Sequence, residues 1–108
     1  MATLSVQDIS TAGLEATYAS AAGGGDQFSN DGRTIIHVKN GSGADITVTI
    51  ASQRACDQGS THDTAVVVTA GEERFIGPFD VARYSDANGY VQLTYSGVTS
   101  LTIGAFSA

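Results

Sequence analysis

The chain has 108 residues, a single cysteine (Cys56) and a single proline (Pro78), with a charged fraction of 15% and a net charge of −6. That length fits one domain. One cysteine excludes an internal disulfide framework. Five scattered basic residues, Arg33, Lys39, Arg54, Arg74 and Arg83, offer no cluster to neutralise phosphates, so neither nucleic acid nor an anionic membrane is an expected partner.

Thr, Val and Ile dominate the ordered-looking stretches, and 13 glycines punctuate them. The apolar residues recur at every second position rather than at helical spacing. Met1–Ser10 has no basic segment followed by an apolar run, so no signal peptide is expected. Thr3–Gln7 reads as a short strand or an N-terminal arm, with Leu4 and Val6 alternating against Ser5 and Gln7. Such a segment could add to a sheet edge of its own domain, of a sister subunit or of a partner. Ala12–Ser20 is compatible with an extended segment, and the Ala-rich Ala16–Ala22 is ambiguous. Gly23-Gly24-Gly25 interrupts any regular element.

Arg33–Asn40 is a strong strand, with Ile36 and Val38 on one face and Ile35, His37 and Lys39 on the other. Asn40-Gly41 turns the chain. Asp45–Ser52 follows as a clean alternation of Ile46, Val48 and Ile50 with Thr47 and Thr49. These two strands are expected to pair as a hairpin. Arg54–Thr61 is a polar loop. Thr64–Thr69 and Glu72–Ile76 are strands separated by the Ala70-Gly71 turn, and Gly77-Pro78 ends the second, because proline cannot donate to a ladder. Val81–Ser85 reads as a short strand joined through Asn88-Gly89 to Tyr90–Ser96. Leu101, Ile103 and Ala105 mark the last strand.

Seven to eight short strands with frequent turns predict an all-β, antiparallel sandwich or barrel spanning residues 1–108, with 1–10 as a candidate arm. The expected core is Ile36, Val38, Ile46, Val48, Ile50, Val66, Val68, Leu93, Leu101 and Ile103. The large aromatic anchors are Phe28, Phe75, Phe79, Tyr84, Tyr90, Tyr95 and Phe106.

No pattern carries catalysis. His62-Asp63 near Cys56 matches no zinc spacing, and no serine stands in a nucleophile elbow. Glu72 and Glu73 are adjacent on a strand and face opposite ways. Asp26, Asn30 and Asp31 offer oxygen ligands, but not at the spacing of a known calcium loop. The expectation is a non-enzyme needing no cofactor or metal. A weakly charged, Thr-rich surface suits burial against other proteins. The residues expected at such an interface are Leu4, Val6, Ile9, Phe28 and Tyr90; the loops at Gly23–Phe28 and Arg54–Thr61 are the alternative.

Three segments carry a family resemblance: HVKNGSGA (37–44), GEERFIGPF (71–79) and NGYVQLTYSGVTSLTI (88–103), with AGLEATYASAAGGGDQFSNDG (12–32) extending it across nearly the whole chain. Here the sequence resembles a family of small virion proteins of tailed bacteriophages. The resemblance implies a virion component, foremost a decoration (cement) protein that binds the major capsid protein on the outside of the shell. Such a protein is made in the host cytoplasm, and a homo-oligomer, with a trimer favoured, is the implied state. A head–tail connector or tail component is the alternative within that class. A carbohydrate-binding β module, using Tyr84, Tyr90 and Tyr95, is the alternative outside it.

Overall fold

Period-two alternation dictates strands with one apolar face, and two such faces must cover each other. The computed structural model, which describes residues 2–53 and 63–107, has this arrangement: two mixed sheets packed face to face. The first sheet runs β1 (Ala2–Leu4), β4 (Asp26–Ser29), β9 (Tyr90–Tyr95), β6 (Ile46–Ile50) and β7 (Thr64–Val68). The second runs β2 (Val6–Asp8), β10 (Leu101–Ser107), β5 (Thr34–Asn40) and β8 (Glu73–Ile76), with β3 (Ala19–Ser20) also paired to β10. The protein is an all-β sandwich.

The predicted core residues are buried, except that Val66 is half-buried against them. Leu4, Ala21, Phe28, Ile76, Phe79, Val91 and Ala105 complete the core. Phe79 tilts against Phe28 with ring centroids 5.6 Å apart.

The predicted hairpins are corrected. β5 and β6 do not pair: β5 lies between β10 and β8, and β6 between β9 and β7, in the opposite sheet. The Asn40-Gly41 turn is a crossover between sheets. Asn40 is buried, and its amide donates to the carbonyls of Ala44 (2.8 Å) and Val68 (3.0 Å). Its side-chain oxygen accepts from the backbone N–H of Ser42 (3.0 Å). These bonds tie the end of β5 to the end of β7 across the sandwich. β7 and β8 likewise sit in different sheets. Among the described strands, only β6 and β7 are both consecutive and paired.

Val81–Ser85 is not a strand. Val81–Tyr84 forms one helical turn, α1, because Asp80 caps it: its carboxylate accepts from the N–H of Ala82 at 3.1 Å. Asn88-Gly89 therefore joins a helix to β9 instead of closing a hairpin. Asp86 shapes this turn by accepting from the N–H groups of Asn88 (2.8 Å) and Tyr90 (3.0 Å).

Two carboxylates hold connections in this way. The N–H of Arg33 on Asp31, and the N–H of Tyr90 on Asp86, bring their carboxyls below the ordinary value of 3.8. A depressed folded-state value contributes stability above the unfolded value and loses it as pH falls through the folded one. The melting temperature should therefore decline as pH is lowered below about 3.8, and Asp86→Asn should make that decline shallower. An equally steep acid decline in Asp86→Asn, followed by circular dichroism, would show that Asp86 has no part in it.

The N-terminal segment belongs to this chain's own sheets. β1 pairs in parallel with β4, and β2 in parallel with β10. Ser5 is the single residue between them, so the segment crosses from one sheet to the other.

Candidate functional site

The outward face of a sandwich sheet normally meets water, so its covered positions are informative. On β5 the outward residues are Ile35, His37 and Lys39. Cross-strand pairing sets His37 beside Phe75 and Gly104, and Lys39 beside Glu73 and Thr102. His37 nevertheless retains only 5% exposure. Two rings enclose it: Phe75 stacks on the imidazole at 3.9 Å and 10°, and Tyr18 meets it edge-on at 5.5 Å.

The Tyr18 hydroxyl lies 2.7 Å from Nδ1 of His37. Glu73 Oε1 lies 3.2 Å from Nε2, within ion-pair reach of a charged imidazole but without hydrogen-bond alignment. Lys39 Nζ sits 4.0 Å above the Tyr18 ring, a cation–π contact. The Tyr18 ring also meets Phe106 edge-on at 5.9 Å.

The segment carrying Tyr18 is fastened over the sheet by Gln7. The Gln7 amide donates to the Thr17 carbonyl (2.8 Å) and its oxygen accepts from the Thr17 N–H (2.9 Å). Close approach requires Gly104 beneath: a Cβ there would stand 3.0 Å from the Thr17 carbonyl oxygen.

Beside the roofed histidine the face opens into an apolar groove of about 300 Å³, lined by Ile9, Leu14, Ala16, Ile35, Phe75 and Phe106. Phe75 is 68% exposed, Ile9 48% and Leu14 38%. Phe75 projects from the edge strand β8, where the Glu72–Arg74 ion pair (3.0 Å) flanks it. Contiguous exposed apolar groups of this kind commonly mark contact surfaces.

The predicted site residues are dispersed. Phe28 is fully enclosed and Leu4 buried, both in the core, so neither presents a surface. Val6 and Tyr90 are half-buried, and of the five only Ile9 lines the groove. Tyr84 packs edge-on against Phe79 and its hydroxyl lies 2.7 Å from that of Thr64. Tyr95 turns inward and donates to Asp26 at 2.6 Å. Burial, then that hydrogen bond and the charge of Asp26, push the Tyr95 hydroxyl above its ordinary range, so it stays protonated at neutral pH.

Asp26, Asn30 and Asp31 do not share a site. Asp26 is interior; the Asn30 amide donates to the Phe79 carbonyl (3.3 Å) and to Ser85 Oγ (3.1 Å); Asp31 accepts from the N–H of Arg33 (2.9 Å). Among the described residues no group of three or more His, Cys, Asp or Glu side chains is placed to hold a metal. Cys56, His62 and the Arg54–Thr61 loop lie outside the described residues.

Sequence reasoning missed Tyr18, Leu14 and the burial of His37. Leu14, Ala16 and Tyr18 do alternate with Glu15 and Thr17, but nothing local shows that the stretch folds over the outer face of a sheet. No family model, curated protein or solved structure matches this chain.

Proposed function

We propose that this protein is a virion structural component, a capsid decoration protein that docks on the outer surface of major capsid protein subunits. The observation that carries the reading is the exposed Phe75 beside the apolar groove on the outer face of the second sheet. A ring of that size in water is a ready anchor for a partner pocket. Among the described residues the groove itself is lined by no charged side chain, so the desolvation cost of covering it is small. Attachment as a homo-trimer would multiply a modest contact at each subunit, so symmetry supplies the avidity. The assignment to a phage particle rests on the sequence resemblance. It is a binding role, with no catalytic step.

The carbohydrate-binding alternative is weakened by the tyrosines it needs. Tyr84 and Tyr95 are half-buried with their hydroxyls engaged, so they do not form an open stacking platform.

Co-sedimentation with capsids tests the proposal. Wild-type protein should pellet with shells at saturable stoichiometry. Phe75→Ser should weaken this at least about tenfold, the loss expected of a central anchor, while the variant keeps a cooperative thermal transition. Wild-type binding by Phe75→Ser would remove this face as the attachment surface. Association with tails or connectors in place of shells would move the protein to the alternative position in the particle.

A further inference from the structure

Asp26 opens β4 with its side chain turned into the sandwich, on the same face as Phe28, and it has 0% exposure. Oδ2 accepts from the Tyr95 hydroxyl (2.6 Å) and from the N–H of Ala22 (3.2 Å). Oδ1 is buried and has no hydrogen-bond partner. Neither partner of the carboxylate is cationic. A buried carboxylate oxygen left without a partner is costly, and the cost falls when a cation or further donors complete the shell.

Asp26 lines a crevice of about 250 Å³ that opens between the two sheets, where the N-terminal segment crosses at Ser5 and residues 17–20 run along β10. Thr3, Ser5, Thr17 and Ser20 are among its lining residues, with Thr3 Oγ1 accepting from the Gln27 amide (2.9 Å) and Thr17 Oγ1 donating to Gln7 Oε1 (3.1 Å), and among the described residues no Lys, Arg or His lines it. Among the described lining residues Asp26 is therefore the one carboxylate, its Oδ1 buried and without a partner, and the other polar side chains are neutral. Hard cations prefer such a donor set, whereas softer metals seek nitrogen or sulfur.

We propose that Asp26 and the hydroxyl-lined crevice form a binding site for a hard cation, which joins the N-terminal edge of the first sheet to that of the second. The site differs from the Asp26/Asn30/Asp31 loop set that the sequence had disfavoured, because the residues lining it with Asp26 come from 3–7, 17–20 and 103–105 instead of 30 and 31. With a single carboxylate the affinity belongs to the weak class, roughly 10⁻⁴ to 10⁻³ M for calcium. The inference is independent of any capsid role.

The experiment uses the full chain, stripped of metal by chelator and then dialysed into tetramethylammonium chloride. Melting temperature is followed while calcium, magnesium, sodium or potassium chloride replaces that salt at constant ionic strength. At least one of these ions should raise the melting temperature saturably by several degrees, and which one does so identifies the cation. Asp26→Asn, which keeps an acceptor for Tyr95, should abolish the rise. Should Asp26→Asn not fold, Ser20→Lys serves instead: it places a tethered ammonium at an exposed lining position and should weaken the response at least tenfold. The proposal is overturned if none of the four ions gives a saturable rise, or if the folded variant responds as wild type does.

Discussion

Val48→Asp should leave the chain unable to fold. Val48 is fully buried in the middle of β6, paired with Val66 on one side and Tyr95 on the other. The substitution removes about 1.5–3 kcal/mol of side-chain burial. It also places a carboxylate among apolar side chains, at a further cost of several kcal/mol. Together these losses approach the whole stability of a small domain, about 5–15 kcal/mol. The variant should be insoluble or lack a cooperative thermal transition by circular dichroism. Val48→Thr, close in shape but with an uncharged hydroxyl, should fold with reduced stability. A soluble Val48→Asp protein with a wild-type melting curve would mean that β6 does not bury this face.

Gly25→Ala should be the most damaging of the conservative substitutions. Gly25 has φ +98°, and a Cβ there would collide with the carbonyl oxygen of Leu93. Left-handed backbone costs a residue with a side chain roughly 1–2 kcal/mol. Overpacking against fixed structure costs about 1–3 kcal/mol more. The collision falls where the β4–β9 ladder begins, at the Asp26–Leu93 pair, so backbone cannot yield without loosening a central pair of strands. Urea melts should show a loss of about 2–5 kcal/mol, the sum of those two terms. Gly23→Ala is the control from the same glycine run: nothing lies within 4 Å of its added Cβ, so it should be neutral or slightly stabilising. Equal effects at the two positions would show that composition of the run, not the approach to Leu93, sets its tolerance.

The proposed contact face was legible only in fragments. Phe75 and Phe106 stood out as large aromatics, and Ile9 as an apolar residue near the N-terminus. What unites them is the return of residues 9–18 across the outer face of the second sheet, held by the pairing of Gln7 with Thr17. A contact between a side chain and a backbone ten positions away leaves no periodic trace. His37 shows the same limit. Its place in the alternation assigned it to the outward face correctly, but alternation carries no information about Tyr18 and Phe75 closing over that face.

The sequence by itself determined the all-β class and the inward-facing residues. Strand side chains alternate with a strict period of two, and the apolar members of β5, β6, β9 and β10 must leave water together. The tertiary structure alone decided which strand lies beside which. Ile36 and Val38 bury equally well whether β6 is their neighbour in one sheet or covers them from the other. Asn40 is a competent turn residue in either case. The balance is struck by contacts distant in sequence: the Asn40 amide on the Val68 carbonyl, and the seven-residue ladder of β5 with β10. Neither contact can be read from the turn that separates β5 from β6.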